Sequence, residues 1–130
     1  MTVKSDKKIK ILLVEDDAFL AELYATKFKL ENFEVILAMD GEKALELVQK
    51  KVPDIILLDL ILPKINGFVV LETLKKGQDT KDIPVILLTN LSQKGDVDRG
   101  LAMGAKDYLI KAHFMPSEVV AKIKKIIGLK

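Results

Sequence analysis

The chain has 130 residues, 49% of them hydrophobic and 31% charged, the size and mix of one ordinary folded domain rather than a disordered or collagen-like polymer. With no cysteine and one histidine, His113, it has no disulfide framework, thiolate or histidine metal site, cysteine nucleophile or Ser-His triad, so any chemistry must come from carboxylates, Lys and Thr. The formal charge is +2, the lysines are scattered and Arg99 is the single arginine, which reads as a solvated surface and argues against direct nucleic-acid contact.

The N-terminus, MTVKSDKKIK, is basic, but only Ile11 to Val14 follow before the acids begin. That is too short for a signal-peptide core, and no run approaches the ~18 apolar residues of a membrane span. The expectation is a cytoplasmic single domain over 1–130, with its core at about 9–128 and a basic tail at 1–8. A first strand covers Ile9 to Val14 and runs into Glu15, Asp16 and Asp17. Asp17 is placed to cap a helix whose apolar positions are Leu20, Leu23, Tyr24 and Phe28. Phe33 to Ala38 contains Glu34 and fits an edge strand; Asp40 then caps a helix carrying Ala44, Leu45 and Val48, closed by Pro53.

Ile55 to Leu58 has no polar alternation, as a central parallel strand covered on both faces requires, and Asp59 follows it directly. Asn66 caps a helix through Phe68, Val69, Leu71 and Leu74, stopped by Gly77. Ile83 to Leu88 is a fourth strand, followed by Thr89. The helix from Ser92 to Met103 is the weakest, because Gly95 and Gly100 each cost about 1 kcal/mol relative to Ala. Tyr108 to Ile110 leads into Lys111, and a last helix carries Val119, Val120, Ile123, Ile126 and Ile127 between Pro116 and Gly128. Strand and helix alternate five times, so the fold class is α/β: a parallel sheet with right-handed crossovers and helices on both faces.

Ligands of open α/β sheets sit beyond the carboxyl ends of the strands. Here those ends carry Glu15, Asp16 and Asp17, then Asp59, Thr89 and Lys111. If the first and third strands are neighbours, Glu15, Asp16 and Asp59 share one crevice, and like charges that close demand a shared cation. Oxygen ligands alone select a hard ion, and Mg²⁺ tolerates a few carboxylates plus water. Metal and Lys111 together would neutralise an incoming phosphoryl group, with Asp59, held rigidly by its dry strand, as nucleophile.

The segments ILLVEDD at 11–17, IILLDLILPKING at 55–67, PVILLT at 84–89 and AKDYLIK at 105–111 together resemble the response-regulator receiver domain, the CheY-like family, over Ile11 to Ile127. The resemblance implies a five-stranded sheet of order 2-1-3-4-5. It implies Mg²⁺ held by Glu15, Asp16, Asp59 and the backbone carbonyl of Ile61; Asp17, a third acid in a row, reads as the helix cap ahead of a ligand, and its part in the metal site stays open. Asp59 would be the phosphoacceptor, Thr89 and Lys111 would bind phosphoryl oxygens, and Thr89 with Tyr108 would form the switch. The implied donor is a phosphohistidine on a sensor histidine kinase or phosphotransfer protein. The implied output is a downstream target, or a second copy, bound through the fourth helix, fifth strand and fifth helix. That is a phosphoacceptor signalling module, not an enzyme turning over an external substrate.

The sequence departs from the family at four places: Ala112 follows Lys111 where Pro is usual, the AHFMPSE segment at 112–118 is one residue longer than the common pattern, Asn90 follows Thr89 where Ala is preferred, and Ile61 is apolar where polar residues are common. Ala112 and Asn90 suggest a rival reading as a phosphorylation-silent adaptor of the same fold. A flavodoxin-like cofactor binder is disfavoured, because EDD in the first turn repels a flavin phosphate.

Overall fold

Short apolar strands with two faces to cover need helices above and below, and the chain supplies them in strict alternation. The computed structural model describes residues 8–89, 94–111 and 116–128. Its elements are β1 (Lys10–Val14), α1 (Ala18–Leu30), β2 (Glu34–Ala38), α2 (Gly41–Lys51), β3 (Ile55–Asp59), α3 (Gly67–Lys76), β4 (Val85–Thr89), α4 (Lys94–Ala102), β5 (Asp107–Ile110) and α5 (Pro116–Ile127). The strands pair in parallel in the order β2-β1-β3-β4-β5. The expected α/β architecture is therefore present, with β2 at an edge and β3 in the centre.

Alternate residues of each strand feed two separate cores. Leu12, Val14, Ile56, Leu58 and Leu87 pack with Ala44, Val48, Val70 and Leu74 of α2 and α3. Ile11, Leu13, Ile55, Leu57 and Ile86 pack on the other face with Tyr24, Phe28, Val119 and Ile123 of α1 and α5. Every residue of β3 and β4 is buried. Each large aliphatic side chain there is worth about 1.5–3 kcal/mol of apolar burial.

Three caps start their helices where the sequence places them. The Asp17, Asp40 and Asn66 side chains accept from the backbone N–H groups of Leu20 (3.1 Å), Lys43 (2.7 Å) and Val69 (3.1 Å). Each satisfies an orphan donor, at about 1 kcal/mol. Strand limits shift slightly from the apolar runs. β4 starts at Val85 because Pro84 has no N–H to donate, although its carbonyl still accepts from Ile56 at 3.0 Å. Asp59 and Thr89 are the last residues of their strands, so the ladder fixes their backbones directly. The weak helix runs from Lys94 to Ala102; Asn90, Ala112 and His113 lie outside the described residues. Among the described residues, no helix is long and apolar enough to cross a membrane.

One residue opposes its own propensity. Val52, the C-cap of α2, is held at φ 46°, ψ 73°. A β-branched side chain in the left-handed region is strained, and at 61% exposed Val52 has little packing to offset that. Val52→Gly should stabilise the protein by about 1 kcal/mol, read as a rise in the denaturation midpoint at unchanged slope.

Candidate functional site

The register of the sheet brings the acids together. β1 pairs with β3, so Val14, the residue before Glu15, lies opposite Leu58, the residue before Asp59. The Glu15 N–H donates to the Ala38 carbonyl at 3.0 Å, which carries the β1–β2 ladder one residue further. On the other side, the Lys111 N–H donates to the Thr89 carbonyl at 2.8 Å and extends β5 toward the same end. Glu15, Asp59, Thr89 and Lys111 therefore stand at the carboxyl ends of four neighbouring strands.

At that rim the Lys111 ammonium bridges two carboxylates. Its Nζ lies 2.8 Å from Asp59 Oδ2, 2.9 Å from Glu15 Oε1 and 3.2 Å from Glu15 Oε2. Glu15 is 0% exposed, Asp59 is buried and the Lys111 side chain is 14% exposed. The backbone adds further donors: the Ile61 N–H donates to Asp59 Oδ1 and the Asp17 N–H to Glu15 Oε2, both at 3.0 Å. Asp16 is exposed at the mouth, and one carboxylate oxygen each from Glu15, Asp16 and Asp59 lies within 4.8 Å of the others. The cleft, about 630 Å³, is completed by Asp17, Leu20 and Ile61.

These residues fit a hard divalent cation. Glu15 Oε1 is buried and, although ion-paired with Lys111, has no hydrogen bond of acceptable geometry. Three converging carboxylates against a single ammonium leave negative charge in excess, and every donor is oxygen.

The electrostatics agree. Burial is the main influence on Glu15 and, helped by the Asp59 charge, raises its carboxyl above its ordinary value despite Lys111 and the Asp17 N–H. Burial alone would lower the Lys111 ammonium, but hydrogen bonds to Asp59 and Glu15 outweigh it and the net shift is upward. The buried Tyr24 phenol is also pushed up, by burial first and then by Glu15.

The signs give a pH prediction. A raised folded-state Glu15 contributes most to stability below its unfolded pKa, and that contribution is lost as pH rises through the folded value. Glu15→Gln should therefore melt higher than the parent in chelator at pH 7, with the gap closing toward pH 4. Melts across that range check it; a variant melting lower at pH 7 contradicts it. Lys111 works the other way round neutrality: its stabilisation persists there and fades only as pH climbs past the ordinary lysine range.

The structure brings together Glu15, Asp16, Asp59 and Lys111, with Thr89 buried at the next strand end. Asp17 is engaged as the α1 cap. Tyr108 is 38% exposed on β5, a surface ring rather than a core one. Two neighbours of the site were read in the sequence only as apolar helix positions: Leu20, which lines the cleft, and Tyr24. The signal for both was their place on the first two turns after the acids.

The family model for the response regulator receiver domain matches residues 11–124. The chain belongs to this family. The receiver domain is a module of two-component signalling, and its relatives agree with that. It is 44% identical over 118 residues to the transcriptional regulatory protein CpxR of Escherichia coli, covering 91% of this chain and 49% of CpxR. The chain thus spans about half the length of the curated relatives it matches. Among solved structures, the receiver domain of Francisella response regulator 1452 superposes with a TM-score of 0.84 at 30% identity, covering 93% of this chain and 98% of that one. The receiver domain of the Pseudomonas aeruginosa sensor histidine kinase PA1611, which has a magnesium ion coordinated in its active-site cleft, gives a TM-score of 0.85 at 28% identity, covering 94% and 99%.

Proposed function

We propose that this receiver domain accepts a phosphoryl group on Asp59 in a Mg²⁺-dependent reaction, from a phosphohistidine on a sensor histidine kinase or phosphotransfer protein. The observation that carries the reading is the Lys111 ammonium held between Asp59 and Glu15 in a cleft whose third acid, Asp16, faces solvent. Glu15, Asp16, Asp59 and the Ile61 carbonyl would hold the ion, and the ion when bound supplies charge neutralisation for the phosphoryl oxygens.

The protein's own part is positioning. An Asp59 carboxylate oxygen attacks phosphorus in line, the N–P bond of the phosphohistidine breaks, and the imidazole leaves with the bonding pair. Lys111, already 2.8 Å from Asp59, shifts its contact to a phosphoryl oxygen, and the Thr89 hydroxyl donates to another. Water later cleaves the acyl phosphate, restoring the carboxylate and releasing inorganic phosphate. Thr89 and Tyr108 form the switch: the exposed ring of Tyr108 turns inward as Thr89 engages, and the α4-β5-α5 face is presented to a protein target or a second copy. Exposed Phe19, Leu23 and Leu30 on α1, which begins beside the cleft, offer apolar surface to the donor protein. A cytoplasmic setting belongs to the same reading.

The test is a mass measurement after incubation with a small phosphodonor and Mg²⁺. A labile phosphoryl adduct absent from Asp59→Asn supports the assignment. No adduct on the parent supports the silent-adaptor reading instead.

Ile61 is 57% exposed and lines the cleft together with Asp59. We expect it to restrain water attack, so Ile61→Asn should shorten the adduct's lifetime several-fold. Timed loss of the adduct measures this, and equal lifetimes reject the shielding role.

A further inference from the structure

We propose that the contact between Arg99 and Phe68 is a latch: it holds α4 in its resting position and opens when Asp59 is phosphorylated, a role that rests on the phosphoacceptor reading above. The Arg99 guanidinium carbon lies 4.0 Å from the centroid of the Phe68 ring, a cation–π contact between α4 and α3. Arg99 is the only arginine in the chain, and a planar guanidinium stacks on a ring face in a way that a lysine ammonium does not.

Both partners are tied to the cleft. Phe68 follows Gly67, whose N–H donates to the Leu60 carbonyl at 2.9 Å. A Cβ on Gly67 would lie 2.5 Å from Leu60 Cα and 2.6 Å from the Asp59 carbonyl oxygen, so the backbone carrying the ring rests on the backbone of Asp59 itself. Arg99 precedes Gly100, where a Cβ would lie 2.4 Å from Leu87 Cδ1, so α4 is seated on β4 two residues before Thr89. One partner's backbone thus rests on the end of β3, and the other's helix rests on β4.

The helix itself is lightly held. Only Val97 and Gly100 are buried in it, and Gly95 has nothing within 4 Å of where a side chain would begin. The Gly100–Leu87 seat is steric and permits sliding. The Arg99–Phe68 contact has a preferred geometry and is lost when α4 moves relative to α3. One exposed cation–π contact changes a two-state population by roughly 2- to 5-fold, enough to bias an equilibrium without locking it.

The test uses Phe68→Leu, Arg99→Met, the double variant, and Asp98→Asn as a control that changes charge on α4 outside the contact. Hydrogen exchange of α4 amides is measured without any donor, then adduct formation is timed with a small phosphodonor at fixed Mg²⁺. Each single variant should raise α4 exchange and the phosphorylation rate roughly 2- to 5-fold. The double variant should match the singles, because the same contact is removed, and Asp98→Asn should match the parent. Thermal melts establish folding, and Arg99→Met, at an exposed position, keeps the test available if Phe68→Leu fails to fold. Unchanged α4 exchange in the single variants, additive effects in the double, or an equal rise in Asp98→Asn overturns the latch. Raised exchange with adduct formation at the parent's rate overturns its coupling to phosphorylation. Raised exchange with no adduct on any protein sinks the Asp59 reading while leaving the resting contact established.

Discussion

Replacing Lys111 with Met should destabilise the metal-free protein by about 3 kcal/mol at neutral pH, because it leaves the buried Glu15 and Asp59 carboxylates without their shared ammonium. A loss of that size lowers the melting temperature by roughly 10 °C in a domain of this length. The same change should tighten Mg²⁺ binding, by up to about tenfold, since the ammonium and the metal compete for the same oxygens. Under the phosphoacceptor reading, adduct formation should nevertheless fall by about 100-fold, because the positive group proposed to bind the phosphoryl oxygens is gone. Calorimetric melts with and without Mg²⁺ separate the first two effects. A variant that melts with the parent, or that binds the ion more weakly, would show that the ammonium does not occupy the cleft in solution.

Gly67→Ala should be the most damaging small substitution near the site. The added methyl would meet Leu60 Cα at 2.5 Å, the Asp59 carbonyl oxygen at 2.6 Å and the Leu60 carbonyl oxygen at 2.8 Å, all backbone atoms that cannot rotate away. Either the start of α3 or the end of β3 must move. Overpacking of this kind costs about 3 kcal/mol, and the displaced backbone is the one that carries Asp59. We expect a lowered denaturation midpoint together with weakened Mg²⁺ binding. Gly95→Ala, which meets nothing within 4 Å, serves as the matched control and should be neutral or stabilising.

Much of the framework was legible in the sequence because its causes are local. Asp17, Asp40 and Asn66 read as caps from their position before apolar helical periods, and their side chains do accept the expected N–H groups. The dry run Ile55–Leu58 read as a central strand, and β3 lies between β1 and β4. The acids at the strand ends were legible too, because the carboxyl edge of a parallel sheet is where such groups collect. What could not be read is long-range or runs against propensity. Nothing in the sequence around Glu15 announces that it is fully buried, since that depends on Lys111 arriving from β5. Val52 in a left-handed conformation contradicts the preference of a β-branched residue, and only the tertiary path into β3 enforces it. The Arg99–Phe68 contact needs the packing of two helices separated by a whole strand.

The ammonium that closes the cleft comes from a residue 52 positions after one of its partners and 96 after the other. During synthesis the acids leave the ribosome long before Lys111 does, and a chain stalled or cleaved before β5 joins the sheet has carboxylates but no assembled receptor for phosphate. Under the proposed reading, competence to accept a phosphoryl group therefore arrives with the last strand.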